Sequence, residues 1–154
     1  MKKTKTVGLT IAFCLIAGGV CLASPAMGTW KLNEAKPKFA SRAAKNHTVV
    51  YEAAGDKVKV TVDGTDGEGK AIHNERTGKF DGKDYPVTGD PSSDMRSYTM
   101  VNDRTLELTV KKDGMVTASG RVVMSADGKS RTVTVSGTDA KGKKFKNTAV
   151  YDKE

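Results

Sequence analysis

VDGTDGEGKAIHN, residues 62–74, is an acidic, glycine-rich stretch entered from an alternating apolar row. Such a loop can hold a calcium ion, cradle an anion, or turn one strand into the next, and the choice decides the fold. A calcium loop of the EF-hand kind needs oxygen ligands at fixed positions and a bidentate glutamate at the twelfth. Counted from Asp63, the third residue is Thr65, the fifth Gly67 and the twelfth Asn74, so the pattern fails. A phosphate-cradling loop fails as well: Ala71 follows Lys70 where Ser or Thr is needed, and no helix N-terminus is expected there to supply converging amides. What remains is a turn. Shifting the chain by 73 residues lays 49–74 over 122–147 without a gap, with 13 of 26 positions identical. Val60, Thr61, Val62 reappear as Val133, Thr134, Val135; Gly64, Thr65, Asp66 as Gly137, Thr138, Asp139; and Gly69, Lys70, Asn74 as Gly142, Lys143, Asn147. The second copy keeps these turn residues but replaces Asp63, Gly67 and Glu68 by Ser136, Ala140 and Lys141. It discards the acids an ion would need and keeps the residues a hairpin needs, which reads as an internal repeat of two equivalent hairpins.

Working outward, period-two alternation dominates and helical periodicity is nearly absent. Val58, Val60 and Val62 fall on one side of a strand, and Leu106, Leu108 and Val110 on one side of another. About nine strands are expected, at 28–32, 48–53, 57–64, 70–80, 95–101, 104–111, 115–124, 130–137 and 143–152. Asp, Asn and Gly clusters at 54–56, 66–69, 81–83, 101–104, 112–114, 126–128 and 139–142 separate most of them, too closely for helical crossovers, so neighbours pair antiparallel in a meander. Nine such strands must close or fold as two sheets, because an open sheet would leave two long edges and an apolar face uncovered. An up-and-down barrel is the expected solution and a two-sheet sandwich the alternative. Two segments interrupt the meander. Residues 33–46, with Pro37 and a weak helical signal at 40–44, read as a lid, crossing loop or plug at one end. Residues 81–94 read as a long loop containing a short extended piece.

The first residues read differently. Lys2, Lys3 and Lys5 precede an apolar run from about Val7 to Leu22, followed by small residues at Ala23 and Ala26. This is the pattern of a cleaved signal peptide over 1–26, leaving a single domain over 27–154 that is periplasmic or secreted and has no membrane span of its own. Cys14 and Cys21 leave with it, so the mature domain has no thiol, disulfide or cysteine ligand. The net charge of +8 falls to +5 without the three leading lysines, which favours acidic partners. An exported basic domain is not expected to bind nucleic acid.

No constellation for catalysis stands out. His47 and His73 lack companions in sequence for a metal site, and no GxSxG elbow surrounds a serine. Nothing sets two of Glu75, Asp81, Asp84 and Glu107 in a dry cleft. The expectation is a noncatalytic domain with no metal and no cofactor. In the C-terminal stretch, Lys144 and Lys146 face one way and Phe145, Asn147, Ala149 and Tyr151 the other, ordinary sheet patterning that protects an edge. With Lys143, these lysines offer attraction to an anionic envelope component. The interior row comprises Val60, Val62, Leu106, Leu108, Val122, Met124, Val133 and Val135, with Tyr51, Tyr85 and Phe145 as further contacts for a ligand. Trp30 buries the largest ring and needs a partner for its indole N–H.

Gly28, Thr29 and Trp30 resemble the GxW element on the first strand of lipocalins, and Ala149–Lys153 (AVYDK) resembles the last strand of a fatty-acid-binding protein. The chain thus resembles the calycin group of lipocalins, fatty-acid-binding and avidin-like proteins. The resemblance implies a barrel whose interior takes a small lipophilic or amphipathic molecule. It also implies that Trp30 seals one end beneath a basic residue of the last strands: Arg121, Arg131 or Lys144. Two family features are missing: the long helix near the C-terminus, and the helix pair after the first strand. The rival expectation is a structural or protein-interaction module of the envelope, its interior filled and its 81–94 loop making the contacts.

Overall fold

Alternating side chains and closely spaced turns build ten antiparallel strands: β1 (Gly28–Leu32), β2 (Lys45–Ala54), β3 (Lys57–Thr65), β4 (Ala71–Gly78), β5 (Tyr85–Thr88), β6 (Met95–Asn102), β7 (Thr105–Lys112), β8 (Met115–Met124), β9 (Ser130–Thr138) and β10 (Lys144–Lys153). The computed structural model describes residues 24–36, 39 and 43–154. The segment read as a signal peptide lies almost wholly outside them, as do Pro37 and most of the helical turn read at 40–44; Ala43 and Ala44 are neither helix nor strand. Every strand pairs with its neighbour in sequence, and β1 also pairs with β10, through Trp30↔Lys153 and Leu32↔Tyr151. The sheet therefore closes into an up-and-down barrel and leaves no unpaired edge; the sandwich alternative is excluded. The tenth strand, β5, is the extended piece within 81–94. It holds β4 by Arg76↔Val87 and β6 by Pro86↔Met95, and its shortness accommodates a proline that cannot donate to the ladder.

The register fixes which residues face inward, since directly opposed residues share a face. Val60 opposes Arg76 and Val62 opposes Asn74; Arg131 opposes both Met124 and Tyr151; Tyr98 opposes Leu108. The buried core gathers Trp30, Val49, Tyr51, Val60, Val62, Tyr98, Leu106, Leu108, Val122, Met124, Ala149 and Tyr151.

The two equivalent hairpins have the same construction. Val62↔Asn74 in one matches Val135↔Asn147 in the other. The Asp66 Oδ1 accepts the N–H groups of Glu68 and Lys70 at 3.0 and 2.9 Å, and Asp139 Oδ1 accepts those of Lys141 and Lys143 at 2.9 and 2.9 Å. Each carboxylate closes its own turn, so the acid that made the first loop look like an ion site serves its backbone. Gly64 and Gly137, also equivalent, lie where a neighbouring strand presses its backbone against them: a Cβ would collide with the Lys45 carbonyl oxygen in one case and the Thr117 carbonyl oxygen in the other.

An up-and-down meander sends alternate turns to opposite ends. One end carries residues 24–27, the turns at 55–56, 103–104 and 125–129, and the C-terminus; the other carries the β1–β2 connection and the turns at 66–70, 89–94, 113–114 and 139–143.

Candidate functional site

At the first end, Trp30 is fully buried and its indole N–H donates to the Ala26 carbonyl oxygen at 2.9 Å. Ala26 is fully buried too, and Lys153 Nζ donates to the Pro25 carbonyl oxygen at 3.3 Å, so Ser24–Met27 folds under the barrel as a stopper. Of the three basic residues the calycin resemblance named, Arg131 is the one over the Trp30 ring, at 4.7 Å. Its guanidinium also lies 4.9 Å from the rings of Tyr51 and Tyr151. Arg121 is instead exposed on the outer surface, paired with Glu107 at 2.6 Å, and Lys144 is exposed. Lys143 and Lys146 are exposed with it, so this cluster is an outward surface and no part of the interior.

Above this floor lies a cavity of about 260 Å³. Its walls are apolar side chains of the inward rows, Val62, Leu108, Val122, Val133 and Ala149 among them, with Tyr51, Tyr98 and Tyr151 lower down. The loop residues on its surface, Phe39, Ala44, Asp90 and Ser92, all belong to the second end, which is therefore its mouth. Asn46, Asn74, Asp90, Arg96 and Arg131 set polar groups among these apolar walls.

The interior charges are unequally satisfied. Near the mouth, Arg96 pairs with Asp90, and its Nη1 donates to Asn74 Oδ1 at 3.4 Å; both partners of the ion pair are largely buried. Arg76 is buried with its guanidinium 4.7 Å from the Tyr98 ring and 5.0 Å from that of Tyr85. Its Nε and Nη2 donate to the carbonyl oxygens of Arg96 and Lys79, while its Nη1 is buried with no hydrogen-bond partner among the described residues. Burial lowers the pKa of this arginine. Arg131 is 3 % exposed, and its Nε and Nη1 have no hydrogen-bond partner among the described residues. Nor do the phenols offer it a counter-charge: burial pushes Tyr151 up to about 12 and raises Tyr98 as well, so both stay neutral.

Of the residues expected to contact a ligand, Tyr51, Val62 and Leu108 line the cavity. Trp30, Val60, Leu106 and Met124 are buried in the core but outside the cavity lining. Phe145 shares the inward face of β10 but stands half-buried at the mouth end, above the lining. Tyr85 lies elsewhere: it packs against Gly78 and under Arg76, and its hydroxyl donates to Asp81 Oδ2 at 3.0 Å. Asn74, Arg76 and Arg96 are interior residues that the apolar rows did not reveal. The phase of the alternation could have found them, since Ile72, Asn74 and Arg76 continue one face of β4 opposite Val60 and Val62. Among the described residues, no group of three or more His, Cys, Asp or Glu side chains is placed to hold a metal ion, and no helix is long and apolar enough to cross a membrane.

No protein-family model matches the chain, and neither does any curated protein. Among solved structures, it is similar to EF1p2_mFAP2b bound to DFHBI, with 12% identity, 86% of this chain and 97% of that chain covered, and a TM-score of 0.49. It is also similar to a redesigned beta barrel, mFAP1, bound to DFHBI, with 19% identity, 83% and 96% coverage, and a TM-score of 0.42. The barrel described above stands on the strand pairing of this chain alone.

Proposed function

We propose that the protein is an exported, noncatalytic barrel, built like a lipocalin, that carries a small apolar or amphipathic molecule in its interior. The observation that carries this reading is the 260 Å³ cavity, walled by apolar side chains, floored by the Trp30 end and opening at one mouth. Binding sites commonly combine such walls with a few fixed polar groups, and Arg131, Tyr51 and Asn74 supply them here. Export rests on the leading lysines and the apolar run that ends near Leu22, which we assign to a signal peptide cleaved ahead of Ser24.

Native mass spectrometry of protein purified without delipidation tests the reading. A reproducible adduct that is removed by organic extraction is the expected result; a bare mass together with no uptake of small amphipathic probes would overturn it. A second reading, a protein-interaction module of the envelope, draws on Met115 and Val116, which are 71 % and 60 % exposed at the tip of the β7–β8 hairpin. It predicts that a polar replacement of this pair abolishes association with a partner and leaves the cavity unaffected.

A further inference from the structure

We propose that the protein docks mouth-first on a bilayer that carries anionic phospholipid, through the tips of the β7–β8 and β9–β10 hairpins. The inference goes beyond the ligand-binding reading and does not depend on it. Among the described residues, the exposed large apolar side chains are Val101, Met115, Val116 and Val123, and only Met115 and Val116 are consecutive. Single apolar residues are normal on a surface; this pair is held out by a defined turn. Its central residues, Asp113 and Gly114, have φ of 50° and 78°, the left-handed pair that a type I′ hairpin requires. Asp94 braces the turn from the 89–94 loop: its Oδ2 accepts the Asp113 N–H at 2.8 Å, and its own N–H donates to the Lys111 carbonyl oxygen at 3.0 Å. The β8–β9 ladder ends at Ala118↔Gly137, so Met115 and Val116 lie beyond it and pair with β7 alone, opposite Lys112 and Lys111.

The β9–β10 turn lies beside them at the same end of the barrel, and here the internal repeat supplies a comparison. The two equivalent hairpins share register and turn bonds, so the same backbone carries either set of side chains. Glu68, Ala71 and His73 in the first are Lys141, Lys144 and Lys146 in the second, all exposed. The first turn sets Asp66 and Glu68 against Lys70; the second sets Lys141, Lys143, Lys144 and Lys146 against Asp139. Lys111 is paired with Asp84 at 2.6 Å, whereas Lys112, Lys141, Lys143, Lys144 and Lys146 have no ion-pair partner among the described residues. A closed barrel has no edge for these lysines to guard, and the basic copy is the one next to the exposed apolar pair.

Lysines beside exposed apolar side chains suit a lipid surface. The lysines are drawn to the negative leaflet, and the apolar tip enters the boundary between headgroups and acyl chains. Each lysine near such a surface raises affinity by roughly fivefold. Two apolar residues are too few to hold a domain alone, so both parts are needed. A soluble polyanion would use the lysines and leave Met115 and Val116 in water; a neutral apolar surface would use the pair and ignore the lysines.

The test is flotation with vesicles, on the mature chain from Ser24, which contains the whole barrel and lacks the leading apolar run. Vesicles of phosphatidylcholine with phosphatidylglycerol should bind it at least about tenfold more tightly than phosphatidylcholine alone, with affinity falling as salt rises. Met115→Ser with Val116→Ser should weaken this binding by about fivefold or more. Giving the second hairpin the residues of the first, Lys141→Glu, Lys144→Ala and Lys146→His, should weaken it by about tenfold or more and flatten its salt dependence. A polarity-sensitive dye on Met115→Cys, the only thiol of that chain, should shift to the blue on the anionic vesicles, and this readout serves if a multiple variant does not fold. Equal binding to both vesicles, or none, overturns the inference; if none, loss of a protein partner on replacing Met115 and Val116 would assign the tip to that partner instead. Binding with no dye shift also overturns it and makes the lysines a plain polyanion site. Each of these failures leaves the ligand-binding reading standing, which the native mass measurement decides separately.

Discussion

Trp30 and Arg131 divide the work of the floor. The tryptophan is held by apolar burial, by the Ala26 carbonyl beneath and by cations near its ring, Arg131 at 4.7 Å and Lys153 at 5.2 Å. Trp30→Ala should cost about 3–5 kcal/mol, measured by chemical denaturation, and should open the closed end. Arg131 was legible as one of three candidates to cover Trp30, because a cation near the last strands was all that the resemblance asked for. That its Nε and Nη1 are buried without an acceptor among the described residues was not legible, because satisfaction depends on acceptors contributed by distant strands. His73 is a simpler case. The Asp63 carboxylate, 2.6 Å from its Nδ1, raises its pKa above the ordinary 6.5, aided by Glu75. A raised folded-state pKa contributes stability below 6.5 that is lost as pH rises through the raised value, and full exposure keeps the contribution small. A ring-proton titration by NMR should find His73 above 6.5, and Asp63→Asn should bring it back toward that value.

At the scale of elements, the paired hairpins account for most of what could be read in advance. Val60–Val62 and Val133–Val135 announced strands by alternation, and the shared Gly-Thr-Asp and Gly-Lys announced turns, because local backbone chemistry is written in local sequence. Asp66 and Asp139 close their turns with the same bonds, so Asp66→Ala and Asp139→Ala should lower the melting temperature by similar small amounts, and calcium should not shift it in the unaltered protein. Gly64→Val and Gly137→Val should each cost more, because backbone of the adjacent strand blocks the new side chain. The strand β5 was harder to see: four residues that include Pro86, set among aspartates, carry too little alternation to separate from a loop. The Ser24–Met27 stopper was not visible either, since its value lies in the Trp30 bond. It bears on processing. Cleavage after Ala26 would remove the carbonyl that holds the indole, so under the proposed export the mature chain should begin at Ser24, after the small residue Ala23. Intact mass and N-terminal sequencing check this; a chain beginning at Met27 would contradict it.

At the scale of the molecule, closure followed from physics that the sequence did carry: many short antiparallel strands, few helical signals and no room for crossovers. The interior space did not follow, because an inward row of Val, Ala and Gly fits either a slim, filled core or a lined cavity. The distinction is set by the barrel's girth and stagger, which depend on ten registers at once. The β3–β4 and β9–β10 strand pairs bring Val62 and Val135 to the same cavity from different parts of the barrel wall. Below them, Arg131 gives the space a polarity from mouth to floor. The central claim is that a small amphipathic molecule sits in this space, and a methyl-resolved NMR titration with hexanoate tests it most directly. The account predicts shifts and intermolecular NOEs at the inward methyls of Val62, Leu108, Val122 and Val133; shifts confined to the outer residues Met115 and Val116, or no shifts at saturating hexanoate, would contradict it.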